Sequence, residues 1–444
     1  MFHEDYMKDE NILYWLWLSE KCAIATKDFR GLAEKFEDPF ELYRLETEEI
    51  EHIEGISERL KNKLADKSLE NAYSTLKYCK DNKVNIISYR DERYPKKLKD
   101  IENPPVLLYV LGELPDIDNR LCIGVVGTRS MSDYGKETAC RISYELAAAD
   151  AVIVSGMALG IDAVSAAGAI EAGGVTVAVL GCGIAKTYPK EHAKLKKAIL
   201  KKGAVVSEYP PFEAPNAFNF PKRNRIISGL SGGVLVVEGS ERSGALITAA
   251  KAISQGRELF ALPGNVDSVN AEGPNELIRS GANVVLSSED IIEHYSFLYR
   301  ETINYKEYSK AKQEFSYSDK ILKKYGIGAA YFKKKAAENA VAEPEVLFVQ
   351  NDGFEAADEK ADKIGKTEKL AGEQSERKDD SARILEGLDD ASRKVFGLMP
   401  IDKSVSPDTF TAQGMDIGEV ITALTMLEIS GLISSLPGGL YVRK

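Results

Sequence analysis

The sequence predicts an α/β chain, a Rossmann-like doubly wound parallel sheet set between an N-terminal helical region and a C-terminal winged helix. Three observations carry this. Between residues 85 and 288, short β-branched runs alternate with helical segments, and most of the runs end in glycine. Residues 10 to 80 keep an apolar spacing of three and four, the period of a helix. Residues 389–444 hold three helical patterns and then a two-strand pattern broken by Pro437, Gly438 and Gly439.

A chain of 444 residues is long for one domain. The boundaries expected are 1–82 for the helical region, 83–296 for the Rossmann-like domain, 297–388 for a charged linker and 389–444 for the winged helix. The net charge of −11 argues against non-specific coating of a polyanion, so a nucleic-acid site has to be a local basic pocket. The five cysteines are scattered without a CxxC pair and the four histidines are dispersed, which excludes a disulfide frame and predicts no metal centre. The apolar run ILYWLWL is too short to span a bilayer, and the N-terminus carries acids rather than a basic leader, so a reducing cytoplasm is expected.

In the first region, Ile12, Leu13, Trp15, Leu16 and Leu18 mark one helix and Leu32, Ala33 and Phe36 another. The stretch IEGIS (53–57) has the form of a helix-hairpin-helix turn, whose backbone N–H groups can face a phosphate. Ser57 stands where such hairpins often carry a second glycine, and a plain helical bundle is the other reading.

The strands expected are 121–127, 151–156, 175–181, 204–208, 233–239 and 258–264, with helices over 136–149, 162–172, 190–201 and 244–255 between them. Strands apolar on both faces and joined by helices make a parallel sheet covered on both sides. Ligands of such a sheet bind at the carboxyl ends of its strands, where these glycines lie.

Residues 297–388 are poor in apolar side chains and rich in Lys, Glu, Asp and Ala, the composition of a linker that is helical at its start and mobile beyond. The winged helix is read from helices over 390–398, 407–412 and 417–429, the second opened by Ser406 and Pro407. Its third helix has no Lys or Arg from Asp416 to Gly431 and carries Asp416, Glu419 and Glu428, so phosphates repel it. The module is therefore expected to bind protein, or DNA only through Arg443 and Lys444.

The densest chemistry lies in NFPKRNRIISGLSGG (219–233), where Phe220, Lys222, Arg223, Asn224 and Arg225 surround a proline in the first helical turn. Phe218 and Phe220 are expected on one side of an extended run before that helix. Cations beside an aromatic at a helix start fit an anion that carries a flat π-surface, which is a nucleotide. A solvated basic helix start with Phe220 in the core fits the same residues. Around it stand GTRSMSDYGKE (127–137), with Gly127, Thr128, Arg129, Ser130 and Ser132, and SGMALGID (155–162), with Ser155, Gly156, Gly160 and Asp162 as helix cap. GCGIAKTYP (181–189) and EGSERSGALITA (238–249), with Arg242 and Ser243, complete the rim. The first of these loops is not a P-loop, because Glu137 follows its GK pair, and the third lacks the third glycine of a dinucleotide fingerprint. One glycine loop is only a tight turn, whereas four along one sheet edge make a composite phosphate surface. Asp162, Glu208 and Glu238 form no catalytic pair, His192 among lysines is read as surface, and neither a catalytic residue nor a cofactor is expected.

Taken together, GTRSMSDYG, SGMALGID, GCGIAKTYP, SEYPP, FPKRNRIISGLS, SGALITA, FALPG and GPNELIRSGAN resemble the bacterial DNA-processing family DprA, also called Smf, over residues 85–290. The N-terminal helices are similar to that family's SAM-like or helix-hairpin-helix extension, and the end of the chain resembles its winged helix. The resemblance implies a non-enzymatic binder of single-stranded DNA that protects incoming strands in natural transformation, loads the recombinase RecA and dimerises through the Rossmann-like domain. It places Gly127, Thr128, Arg129, Ser130 and Ser132 on phosphate, Ser155, Gly156 and Gly160 in backbone contact, and Phe220, Lys222, Arg223 and Asn224 beside them. Ala185 departs from the Asp that the family often has there. The rival reading is a nucleotide or nucleoside-phosphate hydrolase on a related fold. Against it, FALPGNVDS has a single glycine after its proline, where the phosphoribohydrolase relatives carry PGG and a catalytic Glu.

Overall fold

The computed structural model describes residues 2–328, 388–400, 405–430, 432–436 and 440–443. It divides into two units, Met1–Gly328 and Ala329–Lys444.

The first unit opens with six helices, Phe2–Lys21, Asp28–Ala33, Pro39–Tyr43, Thr47–Glu51, Glu58–Leu64 and Glu70–Asp81. Their apolar faces bury Leu16, Trp17, Phe29, Leu32, Leu42, Ile50, Leu60 and Leu64. Arg30 donates to the carbonyls of Lys99, Ile101 and Glu102, which ties this layer to the domain that follows. At the IEGIS turn, the N–H and hydroxyl of Ser57 both donate to the Asp28 carboxylate, at 2.9 and 3.0 Å. An anion of the chain's own sits where a phosphate would dock, so the hairpin is a packing turn.

One sheet of nine strands follows: β1 (Val84–Ser88), β2 (Leu107–Gly112), β3 (Cys122–Val126), β4 (Val152–Ser155), β5 (Val175–Leu180), β6 (Ala204–Ser207), β7 (Gly233–Val236), β8 (Glu258–Ala261) and β9 (Asn283–Val284). Their order is β1-β2-β6-β5-β4-β3-β7-β8-β9, parallel from β6 to β9, with β2 antiparallel to β6 and β1 antiparallel to β2. The six expected strands are the parallel core. The three that sequence patterning did not find are the antiparallel β1 and β2, which lie before the strand–loop–helix alternation although β2 ends in Gly112, and the two-residue edge β9.

The helices Asp133–Ala148 and Ile161–Glu171 approach closely because Gly168 faces the Cys140 backbone, where a Cβ would stand 2.4 Å from the carbonyl oxygen. Residues 297–328, grouped by composition with the linker and expected to be partly helical, contain helices Tyr305–Glu314 and Asp319–Lys324, but these are docked on this pair rather than part of a linker. Tyr308 meets Ser288 at 2.9 Å, Lys324 pairs with Glu171 at 2.6 Å, and the buried Lys136 ammonium is shared by Asp133 and Asp319 at 2.6 and 3.1 Å. Their anchors, Ile303, Tyr308, Ala311, Leu322, Tyr325 and Ile327, are too sparse to outweigh the charged background in a composition reading. The rest of the expected linker, 329–387, lies outside the described residues.

The second unit holds helices Asp390–Leu398, Asp408–Thr411 and Ile417–Ile429 and a hairpin of β10 (Ile433–Leu436) and β11 (Leu440–Arg443), extended by a bridge between Val405 and Tyr441. The expected turn at 437–439 lies outside the described residues. Asp416 caps the third helix, accepting from the Gly418 and Glu419 N–H groups at 2.9 and 3.1 Å. Arg443 lies over the Phe396 ring at 4.1 Å and donates to the Phe396 carbonyl, so this cation is spent inside the module rather than offered to DNA. Lys444 lies outside the described residues.

Candidate nucleic-acid interface

The order of the strands sets the site. The chain steps from β3 to β4 on one side and returns to β7 on the other, so a crevice opens at the carboxyl ends of β3 and β7. The loop after β3 is strapped across it. Thr128 donates its N–H to the Glu238 carbonyl at 2.7 Å, and its own carbonyl accepts the N–H of Ile161 at 3.2 Å. Gly160, at φ +78, allows this approach, since a Cβ there would stand 2.2 Å from the Thr128 oxygen.

Arg129 and Ser130 project from that strap into solvent. The Arg129 guanidinium lies 5.7 Å from the ring centre of Phe220, which is half-buried. Phe220 is the second residue of the helix Asn219–Leu230, so it and Phe218 do not form the extended pair expected. The ring rests on Gly181, where a Cβ would come within 2.7 Å of it. Beside it lies Tyr188, 39% exposed, with its ring centre 5.3 Å away and the planes at 33°. Lys186 and Lys190 flank Tyr188 in solvent. The Asn219–Leu230 helix has neither a side-chain cap nor an acid in its first turn, whereas Ser132 and Ser243 cap the neighbouring helices. Asn216 accepts the N–H groups of Phe218 and Asn219 at 3.1 and 3.0 Å, so what this end offers an anion is the positive pole of the helix, with the half-buried Lys222 beside it.

Two residues of the cationic run point the other way. Arg223 is 4% exposed and donates Nη1 to the carbonyls of Gly156, at 3.0 Å, and Val179, and Nε to Asn224 at 3.2 Å. Burial holds its pKa below the usual arginine value, and the same burial raises that of Asp162, against which the charge of Arg223 works. Asp162 is not the cap expected. Gly160 occupies that position, and the Asp162 carboxylate instead accepts the N–H of Gly156 at 3.0 Å. Arg223 is thus a strut under the rim, touching the surface only through the Phe220 ring, 5.9 Å away. Arg225 is also 4% exposed and pairs with the buried Glu208 at 2.6 Å, which removes it from any phosphate surface.

The hydroxyls sort in the same way. Ser132 donates its hydroxyl and its N–H to the Glu238 carboxylate, and Ser155 donates to the Val125 carbonyl at 2.8 Å, so both are structural. Ser243 caps the helix Gly244–Ser254, and Asn224 reaches the Gly244 carbonyl at 3.4 Å. Gly127 and Gly156 shape the floor, where a Cβ would meet Ile161 at 2.6 Å and Arg223 at 2.5 Å respectively. Arg242 is exposed on the β7 loop. The site residues that face solvent are therefore Thr128, Arg129, Ser130, Phe220, Lys222 and Arg242, with Tyr188, Lys186 and Lys190 added by the structure. A tyrosine before a proline carries no signal of its own in sequence.

His192 corrects a surface reading. It is fully buried, and its Nδ1 donates to the Met157 carbonyl at 3.0 Å, joining the end of the β5 loop to the β4 loop. Met157 itself takes φ +54, a backbone state that this bond helps to hold. Burial keeps the imidazole pKa below its ordinary value. The β5 loop is fastened through the backbone, Gly183 to Glu213 and Ala185 to Pro211, each at 2.9 Å, so it closes without an acid at 185. No group of three or more His, Cys, Asp or Glu that could hold a metal occurs among the described residues.

Comparison with known proteins agrees with this architecture. Residues 85–296 match the family described as DNA recombination-mediator protein A, and residues 374–439 match the DprA winged helix domain. The chain is 44% identical over 210 residues to the DNA processing protein DprA of Bacillus subtilis, covering 47% of this chain and 71% of that one. It is 40% identical over 215 residues to DprA of Streptococcus pneumoniae, covering 48% and 76%. The X-ray structure of the Streptococcus pneumoniae protein superposes with a TM-score of 0.56 at 33% identity, covering 63% of this chain and 97% of that chain. This chain belongs to the DprA (Smf) family of DNA recombination mediators.

Proposed function

We propose that this protein binds single-stranded DNA at the carboxyl edge of its sheet, protects the strand and delivers it to the recombinase RecA during natural transformation or recombination. The observation that carries this is Arg129 standing over the half-exposed Phe220 ring at an uncapped helix start. The cations there suit phosphates, and the Phe220 and Tyr188 rings suit unpaired bases, with little preference among sequences. A duplex keeps its bases stacked inside and offers nothing to those rings.

Binding without catalysis fits the carboxylates. Glu238 is occupied by Ser132, Asp162 by the Gly156 N–H and Glu208 by Arg225, so none is poised as a base. Three further assignments belong to the same reading. Two copies pair through the β9 edge, where Val284 and Leu286 are 44% and 68% exposed. The winged helix meets protein, through the exposed Ile417 and Ile421 on its acidic third helix. The protein acts in the cytoplasm, and no described helix is long and apolar enough to cross a membrane.

A salt-titrated gel shift comparing short single strands with blunt duplex tests the central assignment. Preference for the single strand is expected, and equal affinity for duplex refutes stacking.

A further inference from the structure

The segment that follows the Tyr188 loop presents a row of lysines, of which the site described above uses only the first, Lys190. Lys190 opens a short 3-10 turn, Lys194 and Lys197 lie on the helix Ala193–Ile199 and Lys201 just past its end, at intervals of four, three and four residues that keep them on one side. All four are exposed, whereas Leu195, Lys196 and Ile199 on the opposite face are buried. Lys196 is spent inside, donating to the carbonyls of Ile184 and Lys186 at 2.8 and 2.7 Å. Lys194, Lys197 and Lys201 have no ion-pair partner among the described residues, and no Asp or Glu occurs between Glu191 and Glu208.

In a chain of net charge −11, such a row is a local reversal of sign. It starts two residues from Tyr188, whose ring lies against Phe220. We infer that Lys194, Lys197 and Lys201 form a track for the sugar-phosphate backbone of the same DNA strand as it leaves the aromatic site. Charge complementarity selects a polyanion, and continuity with the Tyr188 rim selects the strand already held there. From Lys190 to Lys201 the row runs about 16 Å at the helical rise. That length holds at most about five phosphates at B-form spacing, and fewer in a stretched strand.

This inference rests on the single-strand reading, and oligonucleotide length separates the two. The triple variant Lys194→Gln/Lys197→Gln/Lys201→Gln and wild type are titrated with salt on oligothymidylates of about six and about twenty nucleotides. On the long strand, the slope of log affinity against log salt is expected to fall by about 2, roughly 0.7 for each lost contact. On the short strand, affinity and slope stay at the wild-type values, and the Lys→Arg triple restores the long-strand slope. An unchanged slope on the long strand overturns the track, as does equal weakening on both lengths. Capture of an acidic protein by this face, with both DNA lengths unaffected, overturns it too. Arg129→Ala binding both lengths as tightly as wild type refutes the aromatic site itself instead.

Discussion

Arg223 donates to the Gly156 carbonyl at 3.0 Å, and Gly156 carries no side chain because a Cβ would stand 2.5 Å from that guanidinium. The arginine and the glycine are one device: a buried cation that pins the ends of β4 and β5 so that the rim above keeps its shape. Arg223→Ala leaves the buried carbonyls and Asp162 without their counter-charge, at a cost of about 3–5 kcal/mol. Denaturant unfolding reads the loss directly, and an unchanged midpoint contradicts the strut.

Arg129 is expected to behave in the opposite way. It is exposed, so Arg129→Ala leaves the melting temperature within a degree or two, yet lowers the salt slope on a single strand by about 0.7. The pair of variants separates holding the rim from using it. Undiminished affinity in Arg129→Ala removes this residue from the site.

Phe220 and Tyr188 offer adjacent rings, and truncating either to Ala is expected to weaken single-strand binding by about 1–3 kcal/mol. Tyr188→Phe keeps the ring and is expected to bind as wild type. An oligonucleotide lacking the stacked base couples to these variants. If base deletion and Tyr188→Ala are strictly additive at every position, the tyrosine does not stack.

His192 makes stability depend on pH. Its folded pKa lies below the unfolded value because burial disfavours the charged ring, so the unfolded chain binds more protons across that interval. The stability it contributes is whole above an unfolded pKa of about 6.5 and is lost as pH falls from there through the folded value. Melting curves of wild type are expected to drop more steeply over that interval than those of His192→Asn. Parallel curves for the two proteins dispose of the idea.

Leu286 stands 68% exposed beside the edge strand β9. Leu286→Glu is expected to shift the mass measured by light scattering from two copies to one while leaving the melting of the monomer intact. A wild-type protein that runs as a monomer at every concentration rules out this interface.

What could be read in the one-dimensional chain was whatever a local rule governs. Strands apolar on both faces and glycines at their ends belong to a parallel sheet in any context, so the six core strands and the rim of loops were legible, and the long FPKRNRIISGLS string marked the family. β1, β2 and β9 escaped because their identity lies in their partners. The run from Lys222 to Arg225 shows the deeper limit. From Arg223 to Leu230 every residue of this helix is buried, so no helical period in the sequence marks which cation stays at the surface. Packing alone decided that Lys222 reaches the rim while Arg223 and Arg225 go under it, that His192 among lysines is buried, and that Tyr188 meets Phe220. Composition and local pattern determined which chemistry this protein holds, and the fold decided which of it meets solvent, because burial depends on residues far apart along the chain.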